Sequence, residues 1–308
     1  MTYSIVARDP DSGELGIGVQ SHYFAAAAAV PWAEAGVGAV ATQSVPELGY
    51  GPKGLALMRD GVSAPDALKQ LVAADEMAPL RQVAMVDSSG EVGVHTGAGC
   101  VAIAQDLAAA QVSVQANMML HPTVAEAMMS AYESTDDALV MRIIAALDAA
   151  EAEGGDARGR QAAGVLVVSG ERSESPWDNV LVNVRVDDST EPLPELRRLV
   201  GVGRAAGEMA GTFPLLFAPA FDDSTSGAVE DALMTLDRSQ ETMSPTNYEP
   251  TFWKAMLLAK AGRIEEARAA LATCRSGRAE WGEFVSRMGP AGILPDPTVV
   301  AALLDESA

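Results

Sequence analysis

Apolar and β-branched residues come in short runs separated by turn residues, and the runs are bunched together rather than alternating one for one with helices. Residues 3–8 form the first run, and Asp9-Pro10-Asp11-Ser12-Gly13 holds the turn residues expected before a second strand. In that strand, residues 14–20, Leu15, Ile17 and Val19 share one face while Gly16 and Gly18 occupy the other. Glycine inside a strand admits close approach, by a packed helix or sheet on one reading and by a ligand on the other. Further strands are predicted at 37–44, 81–86, 91–96, 111–117, 162–169 and 179–186, with Asp87-Ser88-Ser89-Gly90 as a hairpin turn. Helical periodicity covers residues 55–74 with a break at Gly61-Val62-Ser63, where Ser63 followed by Asp66 makes an N-cap pattern. It returns from His121-Pro122-Thr123 through Tyr132, at 136–152, and at 195–209.

Eight strands joined largely by hairpins, with helices after the third, after the sixth and at the end, predict an α+β layered fold over residues 1–210. Two sheets with helices on both outer sides would bury strands that are apolar on both faces. Pro214, Pro219 and small residues over 211–223 mark a boundary, and residues 211–308 read as a small all-α appendage. Within it, segments 253–258 and 264–274, joined at Ala261-Gly262-Arg263, have the apolar spacing of one tetratricopeptide-like hairpin. One such unit does not make a solenoid, so it is expected to pack on the main domain or on a partner.

Charge narrows the function classes. Against 42 acidic residues stand 21 lysines and arginines, a formal net charge of −21, which disfavours nucleic acid and anionic membrane as partners. No apolar run reaches the length of a bilayer span, and the N-terminus lacks a basic segment followed by an apolar one. Cys100 and Cys274 give no disulfide framework, so a cytoplasmic protein is the expectation.

The common catalytic constellations are missing: there is no G-x-S-x-G elbow, no phosphate loop and no HExxH. The three histidines, His22, His95 and His121, have no paired ligand spacing, so neither a metal nor a cofactor is expected. What remains is Thr2. If Met1 is trimmed, as a small second residue generally permits, one residue carries a hydroxyl nucleophile and a free α-amine. That amine, with an ordinary pKa near ~7.7–8.0, is able to accept the hydroxyl proton. Around it, Ser21 and His22 lie where the second strand ends beside the start of the first. Asn117, at the end of its own strand, serves either as an oxyanion donor or as a helix cap. Asp156, Arg158 and Gln161 crowd a glycine-rich loop, as a turn held by an Asp–Arg pair or as substrate contacts, and Arg185, Asp187 and Asp188 form a further charged group.

Seven blocks carry a family resemblance: Thr2-Tyr3-Ser4-Ile5-Val6-Ala7-Arg8-Asp9, Pro31-Trp32-Ala33, residues 36–43, His95-Thr96-Gly97, Gln115-Ala116-Asn117-Met118, residues 154–161 and Arg185-Val186-Asp187-Asp188. Together they resemble the bacterial and archaeal family catalogued as domain of unknown function 1028. The resemblance implies the fold of the N-terminal nucleophile hydrolases, a four-layer αββα sandwich, with Thr2 as nucleophile. It also implies Gln43 and His95 as substrate contacts, beside Asp156, Arg158 and Gln161. Two departures stand out. The chain reads Gln161-Ala162-Ala163 where the family usually has Gln-Ser-Ala, and neither Lys53 nor Lys69 matches the lysine of proteasome-type members. The expected activity is therefore hydrolysis of a small-molecule or peptide amide, with the Thr2 amine as base and His22 or an arginine tuning it. The alternative is a non-catalytic binding protein that uses the C-terminal helices for a partner. Sheet edges and an appended helix pair also suit a homodimer.

Overall fold

The computed structural model describes residues 2–218, 221 and 225–305. Two compact units appear, one up to Leu199 and one from Val200 onward. The first unit opens with the predicted hairpin, β1 (Thr2–Arg8) and β2 (Leu15–Ser21), in antiparallel register with Tyr3 opposite Gln20. Asp9 closes the turn: its Oδ1 accepts the N–H groups of Asp11 and Ser12, and Gly13 takes the positive φ of +75° that a side chain would oppose. Burial alone would lift the Asp9 carboxyl. The Ser12 and Asp11 N–H groups, with Arg142 at 3.2 Å, outweigh burial and hold it below its ordinary range.

The remaining strands are β3 (Pro31–Glu34), β4 (Gly38–Ser44), β5 (Arg81–Asp87), β6 (Val92–Thr96), β7 (Gln105–Ala109), β8 (Val112–Asn117), β9 (Ala162–Val168) and β10 (Val180–Val186). They form a six-stranded sheet in the order β10-β9-β2-β1-β8-β7 and a four-stranded sheet in the order β3-β4-β5-β6. Every pairing between these strands is antiparallel, so the mixed α+β class holds. Two strands go beyond the eight expected. Residues 31–34 begin with a proline, which an edge strand tolerates at its first position because no ladder hydrogen bond is lost there. Residues 105–109, Gln-Asp-Leu-Ala-Ala, hold no β-branched side chain and sit half-exposed at the other sheet's edge. Pairing with β8, not intrinsic preference, makes them a strand.

The side-chain alternation of each strand decides what it meets. Val6, Leu15, Ile17 and Val19 of the larger sheet pack against Ala39, Ala41, Ala84 and Val86 of the smaller one. On the smaller sheet's other face, Val40, Val83 and Met85 join Tyr50, Leu55 and Met58 of α1 (Tyr50–Arg59) and Ala67 and Leu68 of α2 (Ala64–Ala73). Ser63 caps α2 by accepting the Asp66 N–H at 3.5 Å. The larger sheet's other face is covered by α3 (Val124–Ser134) and α4 (Leu139–Ala152). Gly16 and Gly18 belong to that face. A Cβ on Gly18 would stand 2.3 Å from Ile143 Cγ2, so these glycines seat a helix and no ligand.

The helix α5 (Pro192–Ala210) contains the division between the units. The second unit is helical: α6 (Phe213–Phe217), α7 (Ser226–Thr242), α8 (Glu249–Lys260), α9 (Ile264–Gly277), α10 (Trp281–Val285) and α11 (Pro297–Leu304). Pro219, one of the expected boundary residues, lies outside the described residues. α8 and α9 pack as a hairpin whose connection uses Gly262 at φ +77°. Phe252, Leu258, Ala267, Leu271 and Cys274 are fully or almost fully buried between these helices. Burial pushes the Cys274 thiol up to about 11, which leaves almost no thiolate near neutral pH. Iodoacetamide at pH 8 is therefore expected to leave Cys274 unmodified in the native protein and to modify it in urea, read by peptide mass. Among the described residues no helix is long and apolar enough to cross a membrane.

Candidate functional site

The space between the two sheets changes character along its length. At one end it holds the aliphatic core just described. At the other, the same alternation turns polar side chains inward. On β1 these are Thr2 and Ser4; on β8 they are Ser113, Gln115 and Asn117, directly opposite Val6, Ser4 and Thr2. β2 adds Ser21, β4 adds Gln43 and β5 adds Gln82. All eight are buried, between 0% and 6% exposed.

Buried polar atoms need partners, and here they find one another. Thr2 Oγ1 lies 3.1 Å from Ser21 Oγ. Ser4 Oγ donates to Gln43 Oε1 at 2.7 Å and accepts from Gln115 Nε2 at 2.7 Å, while Gln115 Oε1 accepts from Ser113 Oγ. Gln82 is the hub. Its Oε1 accepts from Gln43 Nε2 at 2.7 Å and Asn117 Nδ2 at 2.9 Å, and its Nε2 donates to Thr96 Oγ1 and to the Gln105 and Ala116 carbonyls. Thr96 in turn donates to Asp106 at 2.5 Å. The Thr2 carbonyl accepts from Asn117 Nδ2 at 3.3 Å and from Gln43 Nε2 at 3.4 Å, so the start of β1 is gripped from both sheets.

Beside this end lies the 154–161 loop. Gly154, Gly155 and Gly159 adopt positive φ and let the chain double back. Asp156, with a side chain 0% exposed, accepts the backbone N–H groups of His22 and Arg158 at 3.0 and 2.9 Å and pairs with the Arg158 guanidinium at 3.0 Å. Leu120 donates its N–H to the Gly155 carbonyl and Gln161 donates its N–H to the Ser21 carbonyl, which ties the loop to the ends of β8 and β2. Tyr3, on the helix-covered face, donates to Glu151 Oε2 at 2.8 Å. Burial first, and then that carboxylate, push its phenol well above the ordinary range.

Of the residues singled out from sequence, Thr2, Asn117 and Gln43 come together in the polar layer. Asp156 and Arg158 stand beside its end as a mutually paired turn. His22 is nearby, but its ring lies against the loop, with Nδ1 3.4 Å from the Arg160 carbonyl oxygen. Gln161 turns its amide away, to Asp188 at 3.1 Å. His95 is not part of the cluster: it is paired opposite Val83, whose side chain packs toward α1 and α2, and its Nε2 lies 2.8 Å from the Ala78 carbonyl oxygen. Arg185 pairs with Asp187 at 3.3 Å. Asn117 also departs from its expected role. Its Nδ2 is engaged by Thr2 O and Gln82 Oε1, which leaves no obvious N–H for an oxyanion, while its buried Oδ1 has no partner. Gln82 and Ser4 are not among the candidates that the sequence offers, although each is a polar residue in register with inward-facing apolar positions of its strand.

These observations define the class as a mixed α+β protein with two antiparallel sheets and a buried polar centre at the head of its central strand. The chain belongs to DUF1028, a family of unknown function whose model matches residues 2–196. It is similar to protein SPO2555 from Silicibacter pomeroyi, a DUF1028 protein of known crystal structure, at 27% identity and a TM-score of 0.58, over 65% of this chain and 87% of that one. No curated protein matches the chain.

Proposed function

We propose that this protein is an amide hydrolase of the N-terminal nucleophile type, with Thr2 Oγ1 as nucleophile and the Thr2 α-amine, freed by removal of Met1, as general base. The observation that carries the reading is the placement of Thr2: it heads a central strand, its hydroxyl points between the sheets, and buried amides from β4 and β8 hold its carbonyl. Two sheets with helices on their outer faces suit the four-layer sandwich of that class. In the first step Oγ1 attacks the substrate carbonyl while its proton passes to the amine. The amine then protonates the leaving nitrogen, and water releases the acyl group from Thr2 by the reverse roles. Ser21 Oγ, 3.1 Å from the nucleophile, holds the hydroxyl in position. Asn117 Oδ1 is an acceptor placed to receive a substrate N–H once the site opens.

Met1 lies outside the described residues, so the decisive experiment is the intact mass of the purified protein before and after exposure to an amide-directed electrophile. A chain beginning at Thr2 that gains one adduct there is the expected result. Retention of Met1 throughout an active preparation removes the amine from the mechanism.

A second reading, a non-catalytic binding protein, draws on two observations: Thr2 is only 6% exposed, and the helical unit holds a cleft of about 550 Å³ lined by Phe252, Trp253, Trp281 and Phe284. On that reading the polar layer serves packing alone and a partner or ligand docks on the aromatic cleft.

A further inference from the structure

The end of the sandwich where Thr2 sits is also where, among the described residues, the first unit exposes most of its large apolar side chains. Strand direction settles which loops gather there. β2, β4, β6 and β8 finish at this end, and β1, β5 and β9 begin at it, as the pairs Thr2–Asn117, Gln43–Gln82, Gln82–Thr96 and Gln20–Ala163 require. The segments leaving those strand ends carry Tyr23, Phe24, Val45, Leu48, Val101 and Leu120, each between 44% and 66% exposed. Hydrogen bonds knit these segments together: Met118 N–H to the Val101 carbonyl, Val45 N–H to the Leu80 carbonyl, and Ala25 N–H to the Asp187 carbonyl.

Backbone strain gathers at the same place. Among the described residues, non-glycine positions with positive φ are Ala25, Ser44, Gln111 and Met118, and all but Gln111 directly adjoin these exposed residues or the strand ends that carry them. Such conformations are unfavourable for a residue with a side chain and persist only where the surrounding structure enforces them. Two arginines at this end are already matched: Arg158 pairs with Asp156, and Arg160 lies 3.4 Å from Glu151 and 2.8 Å from Glu191. Apolar side chains exposed to this extent on neighbouring loops are the surface that an apolar ligand covers.

We infer that the substrate is an amide whose acyl group is an apolar chain or ring of several carbons, held by Tyr23, Phe24, Leu48 and Leu120 while its carbonyl reaches Thr2. This rests on the hydrolase reading for its chemistry but not for its binding, so the test has two arms. In the binding arm, N-methyl amides of acetic, butyric, hexanoic and succinic acids are titrated into the wild-type protein by calorimetry. Affinity is expected to rise roughly threefold per added methylene, with the succinyl compound, an anion, binding worst. Phe24→Ser and Leu120→Ser, both on exposed loops, are expected to weaken hexanoyl-amide binding about tenfold, whereas Leu181→Ser, at the opposite end of the sheet, leaves it unchanged. In the chemical arm, the matching anilides are assayed for release of aniline and for an acyl adduct on Thr2.

Chain-length-dependent binding without an adduct supports the apolar acyl site and sinks the hydrolase. An adduct whose rate ignores acyl length, or favours the succinyl compound, sinks the apolar acyl site and supports the hydrolase. No binding of any amide overturns the inference. So does a self-association that Phe24→Ser abolishes, because these side chains then belong to the contact with a second copy of the chain.

Discussion

Under the proposed mechanism, Thr2→Ala is expected to abolish amide hydrolysis, by a factor on the order of 10⁴ to 10⁶, while the protein stays folded. The two halves of that expectation have different causes. Loss of Oγ1 removes the atom proposed to form the acyl bond, and no other group in the buried layer is proposed for that role. Ser21 Oγ is the nearest hydroxyl, but it has no amine on its own Cα. The structural cost includes the hydrogen bond to Ser21, about 0.5–1.5 kcal/mol, and spares the backbone pairing of residue 2 with Asn117 and the grip on its carbonyl, which do not involve the hydroxyl. Thr2→Ser keeps the nucleophile and should retain activity within about tenfold, whereas Thr2→Val keeps the shape and loses it. The measurement is turnover of the best anilide beside a thermal melt. Activity that survives in Thr2→Ala transfers the chemistry to another group and ends the N-terminal mechanism.

The second large effect is on stability. Gln82→Leu is expected to lower the unfolding free energy by about 2–5 kcal/mol, measured by urea denaturation at unchanged m-value. Leucine removes the acceptor of both Gln43 Nε2 and Asn117 Nδ2, and it removes the donor to Thr96, Gln105 and Ala116. Each of these groups is buried between the sheets, so water cannot readily repair the loss. Because Gln43 and Asn117 also hold the Thr2 carbonyl, the same change should slow acylation of Thr2 even in the fraction that remains folded. A variant as stable as the wild type would mean that the layer is wet and that its hydrogen bonds contribute little.

How much of this was legible beforehand depends on the kind of signal. Hairpins announced themselves through turn chemistry, as at Asp9–Gly13 and Asp87–Gly90, and the cap at Ser63 followed from its spacing to Asp66. β7 was invisible because an exposed alanine-rich edge strand owes its conformation to the neighbour it pairs with. At the site, Thr2 stood out as a candidate N-terminal nucleophile and Asn117 as a polar residue at a strand end, but strand order alone makes them partners. His95 and Gln161 lie in family blocks near strand ends too. Only side-chain alternation and the loop's path send the first toward Ala78 and the second toward Asp188.

By itself, the order of residues settled the hairpins, most of the strands and helices and the α+β class, because these depend on interactions within a few residues of one another. The tertiary structure alone decided that the polar positions inside apolar strands share one buried layer and that Gln82 sits at its centre. It also turned Asn117's amide hydrogens inward and drew the apolar loops around Thr2. Each of these joins residues tens of positions apart, and only the packing of one sheet on the other brings them within hydrogen-bonding reach.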